Sequence, residues 1–483
     1  MIKCPSCSAE LKFDVNSQLV TCEYCGSKFN PKELKETVKK AGEQDELDPN
    51  NAIEGKSYTC SQCGAKLLTF DETAITFCSY CGSQAMIESK MMKTNKPDYI
   101  IPFKKSKEEC IKTYKKKWSK ALFAPSYMKS DIVVSKFRGI YMPYCIYTLS
   151  KKGNVENKGS KFKKRRGDYD YYDDYRIDSD IDAEYSGISY DLVAKFYDRY
   201  SQAIPFNHKE MEEFNPNYLS GFYADTKDVS NNIYDGEVTS LARNDTTRFL
   251  RQRKEFRKYG CMNPVATLDI TERKMGMFPV YFLAVRDKSE QKVHYAIVNG
   301  QTGKIAMDLP IDFKKYIIGS IIITIPVFIL FELSLYLVPK LVLGLAILAS
   351  LVSMIISNSQ LNGSYERERH LDDRGYLITE RKKLEKIAEE EIEEQPKKAK
   401  RKKKDKYPFK EKFAKYLYKQ FIAIMICLLV LAINPVHDYY YYGGAIISLV
   451  IIIWAFHDLV KEHNLLMSNK LPQLEKRGGD EHE

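Results

Sequence analysis

Cys4-Pro5-Ser6-Cys7 and Cys22-Glu23-Tyr24-Cys25 open the chain, and Cys60-Ser61-Gln62-Cys63 and Cys78-Ser79-Tyr80-Cys81 repeat the pattern 56 residues on. Each set reads C-x2-C, fourteen residues, C-x2-C. A C-x2-C pair suits a tight turn that lets two sulfurs reach one ion, and two such turns close a tetrahedral thiolate shell. Gly26 and Gly82 follow the last ligands, where glycine allows positive φ and lets amides turn toward sulfur. A four-Cys shell has no open position for a substrate. The ligand set Cys4, Cys7, Cys22, Cys25, Cys60, Cys63, Cys78 and Cys81 therefore predicts two structural Zn2+, with iron as the competing ion. Units of about 25 residues cannot build a core without metal.

Short strand-like runs lie between the ligands: Leu11–Phe13 and Gln18–Thr21 in the first unit, Lys66–Phe70 and Ala74–Phe77 in the second. The boundaries read as ribbon 1 at 1–30, a charged linker at 31–56 and ribbon 2 at 57–88. Over residues 1–85 the chain resembles transcription-factor-IIB-type zinc ribbons, also found in RNA polymerase and primosomal helicase subunits. Such ribbons contact DNA, RNA and protein alike, so the resemblance implies a fold and leaves the function open. The other cysteines, Cys110, Cys145, Cys261 and Cys427, share no motif. No apolar segment precedes Cys4, so the expectation is reduced thiols in the cytosol.

The chain has 483 residues, enough for several modules. Residues 98–312 read as a central α+β soluble domain. Cys110, Ile111, Tyr114, Trp118 and Leu122 share one face of a helix over 105–122. Ile140–Tyr147 reads as a strand, and Pro143 places it at an edge or bulge. Residues 151–178, basic at Lys161–Arg166 and alternating Asp with Tyr after that, read as a flexible charged loop. A helix is expected around Glu237–Phe256, with Leu241, Phe249 and Phe256 among its apolar positions. Strands then follow at Ala266–Ile270, Met277–Val285, Lys292–Val298 and Lys304–Met307. Asn299–Lys304 contains Gly-Lys, but its glycines are too close for a phosphate loop and Ile305 follows the lysine, so it reads as a hairpin turn.

A wider resemblance rests on the order of short motifs. Two ribbons precede Ile101-Pro102-Phe103, Phe123-Ala124-Pro125 and Gly139-Ile140-Tyr141-Met142-Pro143. Tyr218–Ala224, Phe278-Pro279-Val280-Tyr281, Asn299–Lys304 and Asp308-Leu309-Pro310 come after. This order resembles a family of bacterial, Firmicutes-type zinc-ribbon integral membrane proteins. The resemblance implies the ribbons, the central domain and the anchor, and carries no established activity with it.

The last third predicts an all-α membrane domain of four transmembrane helices in two hairpins, at 316–356 and 416–457. The spans read as Tyr316–Val338, Leu341–Ile356, Tyr418–Ile433 and Gly443–Phe456. Residues 357–412 hold 17 Lys and Arg, whereas the two short loops hold only Lys340. The positive-inside rule then places the charged loop at 357–415, the tail at 458–483 and both termini in the cytoplasm of a multi-pass plasma-membrane protein. Within the loop, Lys397, Lys398, Lys400, Arg401, Lys402, Lys403, Lys404 and Lys406 predict contact with anionic lipid. Glu332, six residues before Pro339, is a candidate for an intramembrane functional acid.

Three functions compete. No G-x-S-x-G, Gly-rich phosphate loop or paired-carboxylate motif is present, so the chain reads as a non-enzyme. The leading expectation is a membrane-anchored adaptor or scaffold for an unidentified protein partner. A membrane-tethered nucleic-acid binder is the alternative, motivated by the ribbons and the +11 formal charge. A transporter component is third.

Overall fold

The computed structural model describes residues 3–34, 52–70, 75, 77–84, 86–130, 133, 136–287, 292–334, 338–368 and 417–470. Ribbon 1 is a three-stranded antiparallel sheet of β1 (Leu11–Asp14), β2 (Leu19–Cys22) and β3 (Lys28–Phe29). Alternation turns Leu11 and Phe13 inward, where Phe13 meets Tyr218 edge-on at 5.1 Å. The second unit consists of β4 (Ala52–Cys60), β5 (Lys66–Thr69) and β6 (Met86–Asn95). Its first strand begins inside the stretch read as linker, and its last runs past residue 88.

The central region adds β7 (Tyr99–Ile100), α1 (Lys107–Lys120), β8 (Arg138–Arg166), β9 (Tyr169–Asp191), β10 (Glu212–Glu213) and β11 (Tyr223–Asp225). After them come α2 (Asp235–Gln252), β12 (Asp269–Asp287), β13 (Lys292–Asn299) and β14 (Ile305–Met307). Ribbon 2 is not a separate bead. β5 pairs β11 with Ala224 opposite Leu68, and the main sheet runs β10-β7-β12-β8-β11-β5-β4-β6. Pro143 is neither at an edge nor in a bulge. β8 is flanked by β12 on one side; on the other, β11 pairs Ile140 and Tyr141 and β9 takes over at Tyr144. Pro143 falls where one neighbour gives way to the next, so its missing N–H breaks no ladder bond.

Phe103 sits at the convergence of the short motifs. Its ring stacks on Phe222 at 4.3 Å and meets Tyr141 and Tyr281 edge-on at 5.0 and 4.9 Å. A Cβ on Gly139 would stand 2.6 Å from the Phe222 ring, and one on Gly300 would stand 2.4 Å from Phe103. Gln18 of ribbon 1 donates to the Phe103 carbonyl at 2.7 Å, tying that ribbon to the same point.

Residues 151–178 are not a loop. They lie in the β8–β9 hairpin, closed by a two-residue turn in which Gly167 has φ +64° and Arg166 pairs Tyr169. The register sets Lys161 opposite Asp173 and Arg165 opposite Asp170, with Lys163 reaching Asp173 at 2.9 Å. Two like-charged runs become complementary once they fold against each other. At the base of this arm, Val155, Ile177 and Ile181 pack with Leu250, Phe256 and Cys261. α2 buries Val238, Ala242, Thr246 and Leu250, which leaves Leu241 and Phe249 exposed; the helix breaks at Arg253, and a short turn carries Phe256 inward. On α1, Cys110, Tyr114 and Trp118 are buried as expected, whereas Leu122 lies beyond the helix end and is exposed.

Four helices follow among the described residues: α3 (Phe313–Ser334), α4 (Pro339–Glu368), α5 (Tyr418–Ile433) and α6 (Tyr439–Leu466), with β15 (Asn469–Lys470) after them. Among the described residues two helices, not four, are long and apolar enough to cross a membrane: Pro339–Gly363, with mean hydropathy 2.2, and Tyr439–Leu466, with 2.0. α5 is apolar but has 16 residues, about 24 Å at 1.5 Å per residue against a core of about 30 Å. Much of the apolar half of α3, Glu332 included, lies outside the described side chains, as does the basic run Lys397–Lys406. Leu348, Ile355, Ile447 and Val450 are exposed, as a lipid-facing surface requires. Inside the bundle Gln420 donates to Ser357 at 3.1 Å and Ser448 to the Ala423 carbonyl at 3.1 Å.

Both ends of the bundle join the sheet domain. Lys315 donates to the Ala124 carbonyl at 2.9 Å and Ser126 at 2.6 Å, while Tyr316 meets Phe123 edge-on at 5.4 Å. At the other end Asn464 exchanges two hydrogen bonds with the Ile311 backbone, at 2.7 and 2.8 Å, and β15 pairs β13.

Gly300→Ala should lower stability by about 1–3 kcal/mol, since a buried ring must move, and thermal unfolding checks it. Burial raises the Asp308 carboxyl above its usual 3.8. The fold holds that proton to higher pH than the unfolded chain does. Its stabilisation is complete below the unfolded value and is lost as pH rises through the folded one. Asp308→Asn should flatten that decline in unfolding scans from pH 4 to 8.

Candidate metal centres

Four knuckles share one backbone design. The first Cys N–H of each bonds the carbonyl five residues on: Cys4 to Ala9, Cys22 to Ser27, Cys60 to Ala65 and Cys78 to Ser83, at 2.7 to 2.9 Å. A return bond runs from Ser8, Gly26, Gly64 and Gly82 to the carbonyl of that same Cys. These four residues have φ between 62° and 72°. Glycine takes that conformation freely in three knuckles; Ser8 takes it at a steric cost in the fourth.

The knuckles meet in two pairs. Within each quartet all Sγ atoms lie within 4.8 Å of one another. Cys4–Cys25 and Cys7–Cys22 stand 3.6 and 3.5 Å apart, and Cys60–Cys81 and Cys63–Cys78 repeat those values. A disulfide would need about 2.0 Å. A zinc tetrahedron with bonds of about 2.3 Å has edges of about 3.8 Å. The observed edges fit that shell, and all eight cysteines are free thiols. Both quartets can hold a metal ion, and the all-sulfur donor set is compatible with zinc.

The two centres differ in setting. Cys25 is exposed, and the Ser27 hydroxyl 3.2 Å from its sulfur pulls that thiol down to about 6. All four thiols of the second quartet are buried. Its knuckle is clamped by the main sheet: Tyr80 packs on Phe282 at 5.5 Å, donates to Asp225 and accepts from the Tyr295 hydroxyl at its carbonyl, 2.8 Å away. A Cβ on Gly82 would stand 3.2 Å from the Ala284 carbonyl. Burial raises Asp225 well above the carboxylate range and depresses Lys195, whose ammonium lies 5.6 Å from the Tyr80 ring centre. Asp225, Lys195 and Tyr295 carry no pattern in the sequence that ties them to a ribbon. Tyr80 does stand in the repeated Tyr-Cys-Gly-Ser, yet its counterpart Tyr24 is 85% exposed against 1% for Tyr80.

Cys110 and Cys145 are core residues, their thiols pushed by burial up to about 12 and about 11. Cys261 and Cys427 are buried in separate clusters. Among the described residues, no further group of His, Cys, Asp and Glu is arranged to hold a metal.

The chain is similar to the uncharacterized protein YdjG of Bacillus subtilis (strain 168). The two are 27% identical over 327 residues, covering 65% of this chain and 91% of that one. This fits the resemblance to Firmicutes-type proteins. No family model matches the chain, and no solved structure matches it.

Cys4→Ser and Cys60→Ser should each lower bound zinc from two ions to one, read by elemental analysis of purified protein. Metal binding in small ribbons is folding free energy, about 10–16 kcal/mol in peptides. Cys60→Ser should also lower the Tm of the main sheet more than Cys4→Ser does, because β4, β5 and β6 belong to that sheet. Two zincs in either variant would contradict the ligand assignment.

Proposed function

We propose that this chain is a membrane-anchored zinc-ribbon protein that acts as a cytosolic adaptor or scaffold, with two structural Zn2+ ions. The supporting observation is the placement of both quartets. Each offers a closed four-sulfur shell, and the second is walled in by the sheet. An ion there can hold the head together but has no position for a substrate.

Topology supports the anchor. The start of α3 and the end of α6 bind the same head domain, as an even number of crossings requires. The loop 357–412 is rich in Lys and Arg, and the positive-inside rule puts it, the head and both termini in the cytoplasm. The run Lys397–Lys406 then faces anionic headgroups on the head's own side.

The charge pattern favours a protein partner over nucleic acid. The basic strand of the arm is matched by the acidic one beside it, and Lys12 of ribbon 1 pairs Glu23 at 2.9 Å. A phosphate backbone would meet a mixed surface. At the arm tip Phe162, Tyr169, Tyr171 and Tyr172 are exposed, and aromatic residues beside arginine are the commonest anchors of protein interfaces.

The test is purification of the intact protein from native membranes in mild detergent, with half the sample treated with nuclease. A defined protein set that survives nuclease and is lost with Tyr171→Ser/Tyr172→Ser supports the adaptor. Partners that vanish on digestion would replace it with the nucleic-acid reading.

A further inference from the structure

β13 connects the second metal centre to the end of the last helix. Tyr295, near its middle, is fully buried and donates its hydroxyl to the Tyr80 carbonyl, inside the Cys78–Cys81 knuckle, at 2.8 Å. The Tyr295 backbone N–H donates to Asp308 Oδ2 at 2.8 Å. Asp308 also accepts from the Tyr200 hydroxyl at 2.8 Å and from Asn469 Nδ2 at 3.3 Å. Arg199 donates to the Asn469 side-chain Oδ1 and to the Tyr200 hydroxyl. Asn469 belongs to the segment that leaves α6. That segment, Met467–Lys470, lies along the edge of β13 as a strap. Its Asn469 and Lys470 pair Val293 and Lys292, and His294 Nδ1 lies 2.5 Å from the Met467 carbonyl.

We propose that metal occupancy of the second centre controls docking of this strap, and through it the join between the head and α6. The inference rests on the reading of Cys60, Cys63, Cys78 and Cys81 as a metal centre. Without an ion, nothing holds those sulfurs at 3.5–3.6 Å, and short strands of this kind do not keep their fold alone. The Tyr80 carbonyl and ring then leave Tyr295 and Phe282. The strap has little to resist that loss: it is a two-residue strand held by two register pairs, one histidine contact and one asparagine side chain. The register pairs and the histidine contact lie within three residues of Tyr295 in β13, and the Asn469 side chain reaches Asp308, which Tyr295 itself holds, as well as Arg199 and Tyr200. The first ribbon touches the head at Phe103, Ser220, Tyr218 and Asn217, and none of these contacts among the described residues is to the strap. Coupling of this kind is reciprocal, so a docked strap also tightens metal at the second centre. The head thereby reports the metal or thiol state of the cytosol to the membrane bundle.

The test uses full-length, zinc-loaded protein in detergent. Trypsin cleavage after Lys470 is followed by mass spectrometry for the native chain, Cys60→Ser and Cys4→Ser. Cys60→Ser should raise the cleavage rate about tenfold, a coupling of ordinary size, and Cys4→Ser should leave it unchanged. Equal rates in the native chain and Cys60→Ser would overturn the proposal, as would equal acceleration by Cys4→Ser. Asn469→Ala keeps every metal ligand and guards against general unfolding. It should speed zinc loss to a chelator about tenfold at one centre only; unchanged release at both would overturn the coupling. Elemental analysis of the native protein tests the metal reading separately, and a count below two would remove that reading and the coupling with it.

Discussion

Four sulfurs drawn to one point hold the Cys78–Cys81 turn against β12 and β13, and the main sheet depends on that closure. β4 ends on Cys60, the other three cysteines lie in the turns between β4, β5 and β6, and these strands extend the same hydrogen-bonded sheet that buries Phe103. A small ribbon on a flexible tether could lose its ion and leave its neighbours intact. Here the ribbon is one end of the sheet, and its knuckle fills a face that Phe282, Ala284 and Tyr295 would otherwise leave open. An ion at the second centre would therefore be linked to folding of the head more directly than one at the first.

The helix bundle is joined to this head at two points through polar contacts: Lys315 on the Ala124–Ser126 turn, and Asn464 with the strap on Ile311 and β13. Two attachments restrict how the bundle can turn under the head. The bundle's own interior carries hydroxyl and amide contacts such as Gln420 to Ser357. The arm does the opposite. It leaves the head as a long hairpin, neutralises its own charge strand against strand, and brings aromatic rings to its tip. Its tip is matched basic strand to acidic strand, and its base is held by the cluster of Val155, Ile177 and Ile181 with Leu250 and Phe256.

Local chemistry was readable from the sequence alone. The two cysteine quartets with their paired C-x2-C turns, the face of α1 carrying Cys110, Tyr114 and Trp118, the hairpin turn at Asn299–Lys304 and the apolar helices each follow from spacing or composition within a few residues. The motifs quoted for the family resemblance were visible as well, although their meaning was not: only the fold brings Gly139, Phe222, Pro279 and Gly300 around one phenylalanine.

Tertiary structure decided whatever depends on partners far apart in sequence. Basic Lys161–Arg166 reads as a solvated loop until Asp170 and Asp173 come back beside it, since complementarity is a property of the pair. Pro143 reads as an edge residue until β11 and β9 divide one side of β8 between them. Tyr24 and Tyr80 occupy the same place in the same motif, and one is in solvent while the other is buried, because a sheet lies beneath only the second knuckle. Spacing along the chain determined where the two four-cysteine groups form, as knuckle geometry is local. Burial and long-range pairing determined which of the two is walled in by the main sheet.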